Sequence, residues 1–542
     1  WRRLYTLFLI IFAIGWPNVL LAEIFLTPST SRLDQQPMIF FSHSLCQKDM
    51  GRVTAINVIE LIGKEDKNSQ KIKWQKTFSK KLSAPVFVGA PDYHFPEKWP
   101  VLSQYPKPME NEQNAKTYPA FREQYSDRLE MIYVLSEDYH LLGLQAKTDQ
   151  KGLDINLRAL FNQDEAKVLD DKFPVGQEIL TGADAFWDGR WHTVLIGILQ
   201  KTPTVIFGVE VTDPNAPSIM WHEVLSLDKF IGDPVIARMA NGKWAVLFSI
   251  TTHTTDIKRD GSLMIRDIQT GRLLTEISVP LTENITLICP SLQTRPHLFS
   301  KLTAVDSKSR GMVDYLYMGD VLGKVWKINV QSSVLNRWGM GEDPKPLFEN
   351  KNSQIVGTPI VSLAPNGDGV FVYVLVQSYE HNAPQEIVAI RDNTDPIGLC
   401  NPKSVLENNM PSQGWRYRTD QNLGQPIIRN GNLLLPEISN SVGNEGGSIL
   451  VFEGANGNLV AKENISVACT TYLDQSQCKF SNEESNLMFK NVNQLITPLT
   501  FINNNGKQNE ILITDFRNCI GHASVKIDSN LLGRRTWQEL YR

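Results

Sequence analysis

Histidine and cysteine are scarce in this chain, nine and six of 542 residues. The histidines are scattered, and no H-E-x-x-H or other close cluster gives a metalloprotease-type centre. No C-x-x-C occurs, which removes the dithiol redox pair. No G-x-S-x-G elbow and no P-loop occur either, so the hydrolase nucleophile and the phosphate cradle have no basis in the sequence. Charge of one sign is not in excess. Lys and Arg total 54 against 58 Asp and Glu, a net charge of -4, so there is no basic footprint for nucleic acid. Helical periodicity is rare, and "LDINLRALFNQDEAKVL" (153–169) is the one segment that reads as a helix. Beyond the first 22 residues, no apolar run is long enough to cross a bilayer as a helix.

What is present begins with a leader. "WRRLYTLFLIIFAIGWPNVLLAE" places Arg2 and Arg3 before an apolar run that ends at Ala22. The run is short for a membrane span and is interrupted by Pro17 and Asn18. Residues 1–22 are therefore expected to be a cleaved export signal, with a retained anchor as the alternative. Export permits disulfides. Cys46, Cys289, Cys400, Cys469, Cys478 and Cys519 allow fifteen pairings. Cys469 and Cys478, flanking "TTYLDQSQ", are the expected pair.

Apolar residues make up 42% of the chain, enough for a substantial core. They recur as strand–turn–strand units: "EMIYVLSEDYHLLGLQAKTD", "WHTVLIGILQKTPTVIFGVEVTDP", "WAVLFSITTHTTDIKRDGSLMIRDIQTGRLLTEI", "DYLYMGDVLGKVWKINV", "GVFVYVLVQSYEHNAPQEIVAIRD" and "GNLLLPEISNSVGNEGGSILVFEGANGNLV". One hairpin cannot bury both of its faces, whereas stacking such units around an axis does. The expected fold is all-β, a β-propeller with irregular insertions; an irregular pair of sandwiches is the alternative. The expected organisation is the signal at 1–22, a β-rich extension at 23–81 that contributes to the propeller or precedes it, and the propeller over 82–542. Within the propeller, the Pro- and charge-rich stretch 92–127 reads as a surface excursion.

Recurrent punctuation precedes several hairpins. Gly232, Gly357 and Gly424 stand two residues before Pro234, Pro359 and Pro426. Pro cannot donate to a ladder, so these pairs read as blade starts without chemistry. Trp187, Trp191, Trp221, Trp244, Trp326 and Trp415 lie in or beside the repeats. Packing between blades is the simpler reading, and a ligand platform the other. His192, amid strand residues, reads as structural.

Several stretches together resemble the C-terminal β-propeller domain of the type IV pilus tip-associated adhesin and pilus biogenesis protein family. They are "APVFVGAPDYHFP", "MIYVLSEDYHLLGLQA", "DAFWDGRWHTVLIG", "IFGVEVTDPNAP", "GDPVIARMANGKWAVLF", "VDYLYMGDVLGKVWKINV" (with Gly319, Asp320 and Trp326) and the closing "GRRTWQEL". They run in order from about residue 82 to 540. The resemblance implies a seven-bladed or similar propeller and export to the periplasm, the outer-membrane surface or the pilus tip. It implies a role in pilus biogenesis, twitching motility and surface attachment. The implied partners are minor pilins or other pilus components, and a host or abiotic surface. Members often carry a von Willebrand A-like domain; no D-x-S-x-S motif stands in the first hundred residues, which favours an assembly role over direct adhesion.

The family's calcium loop falls on "DSKSRGMVD", Asp306 to Asp314. Calcium takes six to eight oxygen ligands. Asp306, the Met312 carbonyl and Asp314 match the pattern, and Gly311 suits the bend. The third and fifth positions are Lys308 and Arg310, and neither side chain can accept a metal bond. The expectation is a degenerate loop in which ion pairs replace calcium, with bound calcium as the alternative, no cofactor, and no catalysis. "PNGDGV", "RDNTDP" and "TDIKRDGS" read as turns. The remaining alternatives are a quinoprotein-like propeller enzyme, for which no cofactor signature is present, and an envelope assembly scaffold unrelated to pili.

Overall fold

The computed structural model describes residues 27–28, 38–43, 53–61, 70–160, 178–200, 204–225, 229–254, 258–280, 298–364, 369–379, 384–392, 414–429, 431–438, 447–464, 466–469, 500–504, 508–515 and 519–525. The leader, Cys46, Cys289, Cys400, Cys478, the "PNGDGV" turn's Asn366 and Asp368, and the closing motif lie outside them.

The strands assemble into seven antiparallel sheets, six of them with four or five strands, in a propeller-like arrangement. The hairpins read from the sequence supply the two middle strands of the second to sixth sheets and two adjacent strands of the first. Examples are Met131–Ser136 with His140–Gln145, Trp244–Thr254 with Lys258–Asp267, and Val370–Ser378 with Gln385–Asp392. Every residue of Met131–Ser136 is buried, as are nine of the ten in Arg190–Leu199. Strands such as these are covered on both faces, so they carry long apolar runs. The outer strands differ: from Gly152 on, Lys151–Asn156 alternates exposed and half-buried residues, because one side faces water.

From the second sheet to the sixth, consecutive sheets touch through their first strands; the sixth meets the seventh through Leu459–Asn464 and Cys519–Val525, and Thr27–Pro28 of the first sheet lies beside Thr500–Asn504 of the last. The first sheet has eight strands. Thr27–Pro28, Met38–His43, Val53–Leu61 and Gln70–Leu82 form a meander of their own, joined to the rest where Leu82 pairs with Ser136. The extension at 23–81 is thus continuous with the first sheet.

Three sequence readings change. The expected helix at 153–169 begins as strand Lys151–Asn156 and a short 3-10 turn, Leu157–Leu160. Leu153, Ile155 and Leu157 satisfy a period of two as well as the helical spacing, and pairing with His140–Gln145 selects the strand. The stretch 92–127 does not merely run over the surface: Tyr93, Phe95, Trp99, Tyr118 and Phe121 join the largest hydrophobic cluster. It also holds the one α-helix among the described residues, Tyr118–Gln124, with Thr117 as its N-cap and Pro119 in the first turn. Lastly, the Gly-x-Pro triplets sit inside first strands rather than at their starts. Ile231 pairs with Ile250 and Val235 with Leu247, so Gly232–Pro234 is a break within one strand. Leu423 and Ile427 flank Gly424–Pro426 in the same way, and the register of Ser353–Leu363 shifts across Gly357–Pro359. A proline is tolerated there because the ladder is already interrupted.

These breaks clip one sheet to the next. Gln425, between Gly424 and Pro426, donates from Nε2 to the Thr358 carbonyl (2.8 Å) and accepts from the Thr358 amide at Oε1 (2.9 Å). Thr303 Oγ1 donates to the Pro359 carbonyl at 2.5 Å. Tryptophans form a second device. Trp221 Nε1 donates to the Ile268 carbonyl (2.8 Å), in the turn Asp267 to Gly271 of the next sheet. Trp415 Nε1 donates to the Gly454 carbonyl (2.7 Å), in the turn Glu453 to Gly457. Trp74, in the extension, makes the same bond to the Ala146 carbonyl (2.8 Å), in the turn Gln145 to Asp149.

Candidate functional site

The loop 306–314 links the strands Thr303–Val305 and Tyr315–Gly319 of the fourth sheet. Its ends are fixed by the ladder, since the Asp314 amide donates to the Val305 carbonyl (2.8 Å) and the Val330 amide to the Asp314 carbonyl (3.0 Å). Asp306 and Asp314 are both fully buried. A buried carboxylate must be compensated by hydrogen bonds or a cation. Asp306 accepts the Arg310 amide at Oδ1 (2.8 Å) and the Gly311 amide at Oδ2 (2.7 Å). Asp314 Oδ2 accepts from Ser307 Oγ (2.8 Å) and the Lys308 amide (3.3 Å). Asp314 Oδ1 faces the Arg310 guanidinium, with Nη2 at 3.3 Å. Burial raises the Asp314 carboxyl above its ordinary range, and Arg310 opposes that shift.

Arg310 is itself anchored. Its Nη1 donates to the Tyr105 hydroxyl at 2.6 Å, its Nη2 to Gln331 Oε1 at 3.4 Å, and the guanidinium sits 5.7 Å from the Tyr105 ring centroid. Lys308 is exposed. Of the two cations the sequence places at ligand positions, Arg310 therefore takes the inner position and Lys308 does not. Gly311 has φ +73°, and a Cβ there would lie 2.5 Å from the Trp99 ring. Both the left-handed backbone and the close ring require glycine.

Tyr105 and Trp99 belong to the stretch 92–127, and a buried ion pair fixes that stretch here. Arg238 pairs with Glu110 through Nε–Oε1 (2.7 Å) and Nη2–Oε2 (3.3 Å). It also donates from Nη1 to the Gly311 carbonyl (3.1 Å) and lies 5.0 Å from the Trp99 ring centroid. Trp244 Nε1 donates to Glu110 Oε1 at 3.1 Å. Nothing in the sequence marked Glu110, Tyr105 or Arg238. Each finds its partner across more than seventy positions, and no local spacing encodes that.

As a calcium site the loop is short of donors. The side chains at the third and fifth positions offer none, the Asp306 oxygens hold backbone amides, and a guanidinium stands against Asp314. The residues present do not fit the ion. Met312 is buried beside them. Among the described residues, no group of three or more His, Cys, Asp or Glu side chains is placed to hold a metal.

The other residues singled out by sequence are held by contacts within the fold. Asp320 Oδ1 accepts the Leu322 and Lys324 amides (2.8 and 2.9 Å), and Oδ2 accepts Trp326 Nε1 (2.8 Å). The Asp320 carbonyl accepts the Ile355 amide of the fifth sheet (2.9 Å), and Gly319 leaves the space that Ile355 fills. Burial pushes the Asp320 carboxyl up to about 6 against those hydrogen bonds. All six tryptophans of the repeats are buried. His192 is stacked on Trp187 at 3.7 Å, with Nδ1 2.8 Å from Glu210 Oε1, and burial lowers its pKa. Asp392 of "RDNTDP" pairs with Lys327 Nζ (2.7 Å) and accepts the Tyr317 hydroxyl (2.6 Å).

Comparison with known proteins places this geometry. Residues 156–346, which include the loop, match the PilY1 beta-propeller domain family. The type IV pilus biogenesis factor PilY1 of Pseudomonas aeruginosa PAO1 is 26% identical over 263 residues, covering 47% of this chain and 21% of PilY1. A PilY1 homolog of Xylella fastidiosa Temecula1 is 24% identical over 301 residues, covering 54% of this chain and 22% of its own. The chain thus spans about a fifth of the length of these relatives. The crystal structure of the P. aeruginosa PilY1 C-terminal domain superposes with a TM-score of 0.51 at 19% identity, covering 80% of this chain and 99% of that domain. The chain is thus similar in sequence to PilY1 across its middle sheets, and similar in fold to the PilY1 C-terminal domain across most of its length.

Proposed function

We propose that this protein is a non-catalytic component of type IV pilus biogenesis that acts through protein contacts at the cell envelope or the pilus tip. The match to PilY1 over 263 residues carries this reading. The site geometry supports it, because Asp306, Asp314, Arg310, Glu110 and Arg238 are engaged with one another and with the loop backbone and hold the scaffold together. Its partners are pilus components, minor pilins among them. The test is a clean deletion in the source organism. The expected outcome is loss of surface pili and twitching with pilin still present in the membrane; normal piliation and motility would overturn the reading.

The loop works in this scheme without metal, with Arg310 as the cation beside Asp314. The eight strands of the first sheet count as two four-stranded units, so the ring comprises eight units rather than seven. Thr27–Pro28 beside Thr500–Asn504 forms its seam.

A further inference from the structure

The seventh sheet brings two of the six cysteines to one rung. Ser466–Cys469 is its edge strand and pairs antiparallel with Cys519–Val525. The register sets Ser466 against His522, Val467 against Gly521, Ala468 against Ile520 and Cys469 against Cys519. We propose that Cys469 and Cys519 form a cross-strand disulfide.

Directly opposed residues of an antiparallel pair share a face of the sheet. Their Cα atoms are about 4.5 or about 5.5 Å apart, depending on the rung. Both values fall within the disulfide range of about 4.4–6.8 Å. The Cα separation at that rung is therefore within disulfide reach. Cys478, the partner suggested by proximity in the sequence, lies beyond the strand end and outside the described residues. A register position fixed by the ladder outweighs nearness along the chain, because the ladder has already met the entropy of bringing the two residues together.

The position also gives the bond a purpose. Cys469 is the last residue of a four-residue edge strand, and Cys519 is the first residue of the strand beside it. An edge strand that short has one hydrogen-bonded neighbour and opens readily. A covalent tie at its end secures the outer rim of the sheet that meets the N-terminal strands.

The oxidant is a small-molecule or protein disulfide. One cysteine thiolate attacks it, forming a mixed disulfide and releasing one thiol. The second cysteine thiolate then displaces the other thiol. The two protein sulfurs lose two electrons, the oxidant gains them, and both protons end on the released thiols.

The experiment uses the full chain equilibrated with reduced and oxidised glutathione. Remaining thiols are alkylated, and the chain is digested and mapped by mass spectrometry with and without reductant. The expected result is a peptide pair joining Cys469 to Cys519, lighter by two hydrogens than the separate peptides. The pair persists in Cys478→Ser and is lost in Cys519→Ser, where Cys469 becomes alkylated. A Cys469–Cys478 link, a link from either residue to another cysteine, or alkylation of both in the oxidised folded chain would overturn the proposal. If Cys519→Ser does not fold, the wild-type and Cys478→Ser maps still decide it.

Discussion

Arg310 sets a guanidinium against the buried Asp314 carboxyl. Its guanidinium is 3.3 Å from Asp314 Oδ1 and is held there by Tyr105. Removing one partner of a buried pair costs about 3–5 kcal/mol, because the other charge is stranded. Arg310→Met should therefore lower unfolding free energy by about 3 kcal/mol in urea titrations. Replacing both loop cations by oxygen donors, Lys308→Asp with Arg310→Asn, should create calcium uptake measurable by titration calorimetry, while the wild-type chain takes up none. Stoichiometric uptake by the wild type, abolished in Asp306→Ala with Asp314→Ala, would refute the metal-free loop. Asp320 gives a pH signature. Its carboxyl is raised from an ordinary 3.8 to about 6, so the folded state holds the proton more tightly than the unfolded one. That contribution is fully present below the ordinary value and is lost as pH rises through about 6, for a total of about 3 kcal/mol. Other carboxylates titrate in the same range, so the readout is the stability difference between wild type and Asp320→Asn. It should be largest near pH 4 and should narrow toward about pH 7.

At the scale of strands and turns, stability rests on contacts between neighbouring sheets. Trp415 is buried against the sixth sheet and donates to the Gly454 carbonyl. Trp415→Ala removes that packing and leaves a cavity, so it should cost about 3–5 kcal/mol. Gln425→Ala loses two hydrogen bonds to Thr358 and should cost about 1–3 kcal/mol. If Gln425→Ala matched the wild-type melting temperature, the Gly-x-Pro clip would be no clip. The hairpins were legible in the sequence because strands covered on both faces carry apolar runs bounded by polar turns. The Gly-x-Pro triplets were legible as punctuation but not as mid-strand breaks, since only the partner strand shows that pairing resumes beyond the proline. The segment 153–160 was misread because its leucines and isoleucine fit two periods at once.

At the scale of the whole molecule, the N-terminal extension has a testable status. Trp74 grips the Gln145 to Asp149 turn as Trp221 and Trp415 grip theirs. If the extension is a full unit of the ring, Trp74→Ala should destabilise the entire chain by about 2 kcal/mol, seen as one cooperative transition at lower denaturant. An early separate transition with the main one unmoved would instead make the extension an appendage. The stretch 92–127 looked like a surface excursion because its prolines and charges are polar punctuation. The aromatic residues between them bury themselves against the second, third and fourth sheets.

The order of residues along the chain dictates that strands form, where they turn, and that two calcium donors are missing from the loop. Those are local matters of periodicity, backbone freedom and donor chemistry. Which strands share a sheet, which cation reaches Asp314, and why Glu110 is buried follow from the assembled fold. Tyr105 and Arg310, Glu110 and Arg238, and Cys469 and Cys519 are distant in sequence, and only the folded chain brings them within reach.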